Sequence, residues 1–162
     1  MFKTVFFLFL IASNIYAYES YSNKGDLLGD TQTSLLLNNY PIFEKNYKSY
    51  QVDTTYNLEH LKHMEVVILF GTWCHDSKRE VPRMLKILDS ISMLPDQISL
   101  IALDRNKTEP KDRHQTYNLK YTPTFIFFQN GFEIGRIVEK PSTSLENDLA
   151  ILPKSLESVV VD

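Results

Sequence analysis

Cysteine is almost absent from this chain: among 162 residues there is one, Cys74. A single thiol excludes an internal disulfide and every zinc site built on paired cysteines. The histidines do not fill that gap. His75 adjoins Cys74, whereas His60, His63 and His114 are scattered with no familiar ligand spacing, so no metal and no cofactor are expected. Basic charge is not in excess either. The net charge is −3, or −4 if Lys3 is removed with residues 1–17, and no basic patch suits DNA or RNA. Internal repeats and low-complexity tracts are missing, and 43% hydrophobic with 23% charged content argues against disorder or coiled coil. The length fits one domain able to bury a hydrophobic core, and a monomer is expected.

The N-terminus has a distinct layout. Lys3 supplies a short positive flank, Val5 to Ala12 form an apolar run, and Ala17 closes a small-residue exit. Residues 1–17 read as a secretory signal peptide, because the run is too short to span a bilayer; an N-terminal anchor or a buried strand is the other reading. No cysteine follows the run, which excludes a lipid-anchored cysteine there. Export delivers the chain to an oxidising compartment, where an unpaired cysteine is a reactive thiol, an intermolecular partner or an inert buried residue.

Residues 18–49 form an extension rich in Tyr, Asn and Ser, with a short helix near Leu35–Leu37 and a break at Pro41. A lead-in strand is expected near Tyr47 to Val52, then a helix capped by Thr54 or Thr55 and running to Met64. Val66 to Phe70 is a continuous apolar run, as in a strand covered on both faces. From Cys74 the pattern turns helical: Val81, Met84, Leu85, Leu88 and Ile91 form one stripe, and Pro82 should kink the helix. Ile98 to Leu103 predicts a second buried strand, and Lys111 to Tyr117 a short polar helix. Thr124 to Phe128 and Glu133 to Val138 predict a hairpin about Asn130-Gly131, and Ser144 to Leu152 a closing helix. Buried strands with helical crossovers and a terminal hairpin give an α/β fold, a three-layer α/β/α sandwich with a mixed central sheet.

The chemistry centres on Trp73-Cys74-His75-Asp76-Ser77, a Trp-Cys-X-X-Cys pattern with Ser77 at the second sulfur position. Cys74 stands where a strand hands over to a helix, so unpaired N–H groups and the helix dipole favour its thiolate. Ser77, one turn on, can donate a hydrogen bond to the sulfur but cannot attack a mixed disulfide. A charged His75 would favour the thiolate and Asp76 would oppose it. Trp73 is read either as a platform for substrate or as a lid on the core. A half-buried structural cysteine is the plainer reading of Cys74. Asn106-Lys107-Thr108 has the N-glycosylation pattern, meaningful only in a source that uses it.

Gly71-Thr72-Trp73-Cys74-His75-Asp76-Ser77 opening a helix, with Pro82 eight residues past the cysteine, resembles the active-site region of the thioredoxin superfamily. Tyr121-Thr122-Pro123-Thr124 before the hairpin resembles that family's cis-proline loop, which packs beside the cysteine and binds substrate backbone. The string from Cys74 to Pro82 is similar to a subgroup of exported bacterial proteins with a Cys-X-Asp-Ser site. The resemblance implies a thioredoxin-like domain over 50–158, catalytic roles for Cys74 and Ser77, and substrate contacts from Trp73, His75, Thr122 and Pro123. It also implies a cis Thr122-Pro123 bond and protein or low-molecular-weight thiols and disulfides as partners. The compartment implied is the periplasm, with secretion as the alternative. The family's buried acid, often six residues before the reactive cysteine, corresponds here to Ile68. Its loss agrees with the loss of a second sulfur, because that carboxylate helps to deprotonate the second cysteine. The function expected is thiol-disulfide exchange through one thiol: mixed-disulfide, isomerase or deglutathionylation chemistry. The alternative is a redox-inactive module that binds a peptide or partner.

Overall fold

Two apolar runs set the centre of the sheet. In a computed structural model, which describes residues 25–152, Val66 to Phe70 lie in β2 (Glu65–Phe70) and are buried throughout. The expected signal peptide (1–17) and the last part of the expected domain (153–158) lie outside the described residues. Strand β3 (Ile98–Ala102) runs parallel to β2 on one side, and β4 (Thr124–Gln129) antiparallel on the other. Strand β5 (Phe132–Val138) returns antiparallel to β4, and β1 (Gly29–Thr31) lies antiparallel to β3. The order is β1-β3-β2-β4-β5, a mixed sheet ending in the expected hairpin. Asn130 and Gly131, both at positive φ (52° and 81°), make its turn; such a two-residue loop matches the twist of the strands it joins.

Period-two alternation sorts the side chains between two cores. Val66, Ile68 and Phe70 join Phe125 and Phe127 in the larger core. It is covered by α1 (Thr33–Asn39), α2 (Pro41–Ser49), α3 (His75–Ser90) and α5 (Leu145–Ile151). Helix α3 buries Val81, Met84, Leu85 and Leu88 there, the stripe read from the sequence. Val67, Leu69, Ile101 and Ile126 face the other way, where Tyr117 and Leu119 flank the four-residue helix α4 (Arg113–Thr116). The second helical layer is therefore thin. Ser144 caps α5 by accepting from the Asn147 N–H at 3.1 Å. Among the described residues no helix is long and apolar enough to cross a membrane.

Three local expectations are corrected. No strand forms near residues 47–52: α2 occupies 41–49, and Pro41 starts that helix instead of breaking it, since the first position needs no N–H donor. The first strand is β1, 29–31, whose Gly-Asp-Thr sequence carries no apolar signal. The helix expected up to Met64 shrinks to a 3-10 turn, Glu59–His63, in which His63 is exposed but His60 is half-buried, 3.3 Å from the Leu149 carbonyl. Charge holds β1 in place. Asp30 pairs with Lys111 (2.6 Å) and Arg113, and Arg113 also grips the buried Glu109 through two hydrogen bonds of 3.2 and 2.9 Å. Those Arg113 hydrogen bonds hold the Glu109 carboxyl down at about 2, against the opposing effect of burial.

Pro82 sits inside α3, which runs unbroken past it. Having no N–H, Pro82 leaves the Lys78 carbonyl, four residues earlier, without its helical donor. Asn46 on α2 supplies one: its Nδ2 donates to the Lys78 oxygen at 2.7 Å.

Candidate active site

Strand β2 ends at Phe70, and four residues carry the chain into α3. Cys74 is the N-cap of that helix, with extended backbone (φ −78°, ψ 129°). Its N–H donates to the Gly71 carbonyl and its own carbonyl accepts from the Lys78 N–H, both at 3.0 Å. These bonds place a half-buried sulfur at the helix N-terminus, as the sequence predicted. The cis Thr122-Pro123 loop lies against it: both residues are buried, and Sγ is 3.2 Å from the Thr122 carbonyl oxygen.

Ser77 is fully buried one turn along α3. Its Oγ accepts from the Gly71 N–H at 3.2 Å, which leaves the hydroxyl proton free for the sulfur. Burial pushes the Cys74 thiol up. Hydrogen bonds from the Thr122 and Ser77 side chains and from the backbone N–H groups of Ser77 and Asp76 push it down, and the net result lies below the ordinary thiol value. The contact with the Thr122 carbonyl is one that only the protonated thiol can make, so it opposes these donors in part.

The neighbouring residues divide into anchors and exposed groups. Trp73 is half-buried, and its indole N–H donates to the Leu103 carbonyl at 3.0 Å. Its ring lies so close over Gly71 that a Cβ there would come within 2.5 Å of Cε2. Trp73 is therefore a lid on the loop, with only part of the ring left to face a substrate. The His75 side chain is 86% exposed, and Asp76 is held by Arg79 at 2.8 Å, which offsets the charge that would oppose a thiolate. Ile68 is fully buried in apolar surroundings and supplies no acid. Among the described residues no three His, Cys, Asp or Glu side chains group together as metal ligands would.

The structure thus brings Cys74, Ser77, Thr122 and Pro123 together and leaves His75 at the rim. Sequence reasoning missed Gly71, which fixes both Ser77 and Trp73. A glycine ending a buried strand two residues before a tryptophan was the available signal for close approach.

Comparisons with known proteins agree with this fold. The thioredoxin family model matches residues 44–150. A thioredoxin of Echinococcus granulosus is 33% identical over 69 residues, which make up 43% of this chain and 59% of that relative. The aligned part therefore falls short of two thirds of the relative's length. Among solved structures, a Pseudomonas aeruginosa protein of unknown function superposes with a TM-score of 0.52 at 15% identity, covering 81% of this chain and 94% of the other. A Fasciola hepatica thioredoxin covers 64% and 84% at 17% identity, with a TM-score of 0.37. At 15% identity the Pseudomonas aeruginosa structure speaks for the fold alone.

Proposed function

The chain belongs to the thioredoxin family, and from that premise we propose that it is an exported protein that exchanges thiols and disulfides through Cys74 alone. The observation that carries the reading is the placing of one sulfur among donors at the start of α3, against the cis Thr122-Pro123 loop. The Cys74 thiolate attacks one sulfur of a substrate disulfide. The S–S bond breaks, the new Cys74–substrate bond forms, and the other sulfur leaves as a thiolate that takes a proton from water. Ser77 stabilises the attacking thiolate but has no sulfur with which to open the adduct. A second thiolate, from the substrate or a low-molecular-weight thiol such as glutathione, attacks the mixed disulfide and returns Cys74 as leaving group. Electrons balance without a cofactor: one disulfide is exchanged for another. Such a cycle suits isomerisation or deglutathionylation better than net reduction. The layout of residues 1–17 supports export, and the periplasm is the compartment proposed, with secretion as the alternative.

The Thr122 carbonyl beside Sγ favours a second reading, since a thiol that donates there is at rest. In that case the surface around Trp73, Thr122 and Pro123 binds a peptide or partner without covalent chemistry. Trapping in the native compartment separates the two. Acid-quenched, alkylated extracts should contain reductant-sensitive adducts of the wild-type protein that are missing from Cys74→Ala. Complexes that persist equally with Cys74→Ala would favour the binding module.

A further inference from the structure

The stretch Gly25–Leu28 lies outside the span that matches the family, yet it touches the loop that carries Cys74. Thr72, 5% exposed, stands two residues before the cysteine. Its Oγ1 accepts from the Leu27 N–H at 3.1 Å and donates to Asp26 Oδ1 at 3.3 Å. The other Asp26 oxygen accepts from Arg105 Nε at 3.1 Å. Arg105 comes two residues after Leu103, whose carbonyl takes the Trp73 indole N–H. Tyr40 secures the start of the stretch, its hydroxyl donating to the Gly25 carbonyl at 3.0 Å. Thr72 and Trp73, the two residues leading into Cys74, are thus tied to opposite ends of one closed circuit: Thr72 to Asp26, Asp26 to Arg105, and the chain back through Leu103 to Trp73.

We propose that Asp26, Thr72 and Arg105 are positioning residues: they form a strap by which the N-terminal extension holds the active-site loop and so sets the reactivity of Cys74. The chemistry follows from how the thiolate is stabilised. Its donors are the Thr122 side chain, the N–H groups of Asp76 and Ser77, and the Ser77 hydroxyl, which is itself oriented by the Gly71 N–H. All of them require the turn from Gly71 to Cys74 to keep its position over α3. A buried threonine hydroxyl that both accepts and donates pins the middle of that turn to the N-terminal extension, as the Trp73 indole pins it to Leu103. Valine has the same shape without the hydroxyl; it would leave the Leu27 N–H without its acceptor and free Asp26 to follow Arg105 into solvent. The inference deepens the single-thiol reading and rests on it for its functional meaning, although the positioning itself is measurable without turnover.

The test is the pH profile of Cys74 alkylation by iodoacetamide in the wild-type chain, Thr72→Val, Thr72→Ser and Asp26→Ala, with exchange against glutathione disulfide measured alongside. Thr72→Val should react about threefold more slowly at pH 7, its inflection raised by about half a pKa unit toward that of free cysteine. Asp26→Ala should move the same way by a smaller factor, and Thr72→Ser should restore the wild-type profile. A threonine that merely fills space would lower thermal stability on replacement without moving the inflection. If Thr72→Val does not fold, Asp26→Ala and Arg105→Gln carry the test, because both side chains are partly or largely exposed (37% and 73%). Coincident profiles overturn the strap, even where the wild-type chain exchanges disulfides. A shifted Thr72→Val profile upholds the strap even where no disulfide is exchanged, an outcome that counts against the single-thiol reading only.

Discussion

Replacing Asn46 by alanine tests how α3 tolerates a proline inside it. The Lys78 carbonyl lies beneath Pro82, which offers no N–H, and Asn46 Nδ2 at 2.7 Å takes that place from the neighbouring helix. Asn46→Ala therefore removes a part-buried hydrogen bond and leaves a carbonyl with no helical donor. A net hydrogen bond is worth about 0.5–1.5 kcal/mol, and an abandoned part-buried acceptor adds to the loss, so the expected destabilisation is about 1–2 kcal/mol. For a chain of this size that is a fall of roughly 3–6 °C in melting temperature. The decisive comparison is a double-mutant cycle read by urea denaturation. In a Pro82→Ala background residue 82 regains an N–H that can bond the Lys78 carbonyl within the helix. There Asn46→Ala should cost less than about 0.5 kcal/mol, for a coupling of about 1 kcal/mol. Equal losses in both backgrounds would refute the reasoning, since Asn46 would then act through packing or through its own helix. Asn46→Asp, which cannot donate, should be at least as destabilising as alanine.

Further outcomes follow from the same contacts. Ser77→Ala strands the buried Gly71 N–H and removes a donor to Cys74; it should lose about 1–3 kcal/mol in denaturation and show a Cys74 alkylation inflection at higher pH. Glu109 is a carboxyl depressed from 4.5 to about 2, so its contribution to stability is complete above pH 4.5 and is lost as pH falls through about 2. Melting curves of Glu109→Gln should accordingly be less pH-dependent than wild type between those values, with the difference largest near neutrality. Gly71→Ala places a Cβ 2.5 Å from the indole and should force Trp73 off the Leu103 carbonyl. As Trp73 is the only tryptophan, its fluorescence should shift to the red, with a loss of about 1–3 kcal/mol from overpacking.

What could be read from the sequence follows the kind of signal each element carries. Strands β2, β3 and β4 carry strongly apolar runs, helix α3 has an apolar stripe, and Asn130-Gly131 names its own turn, so these elements were legible. Strand β1 was not, because Gly29-Asp30-Thr31 owes its place to backbone pairing with β3 and to the Asp30 ion pairs. Helix α2 was hidden by Pro41, a residue that breaks a helix in its middle and begins one at its first position. At the site, Cys74, Ser77, Thr122 and Pro123 stood out as a pattern. The partners that tune them did not: Asn46 and Lys78 are 32 residues apart, Leu27 and Thr72 are 45, and no local periodicity links such pairs.

The central claim is that Cys74 exchanges disulfides without a second thiol in the chain. It is tested most directly by mixing the reduced protein with glutathione disulfide and following its mass with time, then adding excess reduced glutathione. A single glutathione adduct should form faster than on free cysteine at pH 7, be missing in Cys74→Ala, and disappear when reduced glutathione is added. A wild-type protein that forms no adduct under these conditions while remaining folded and reduced would contradict it.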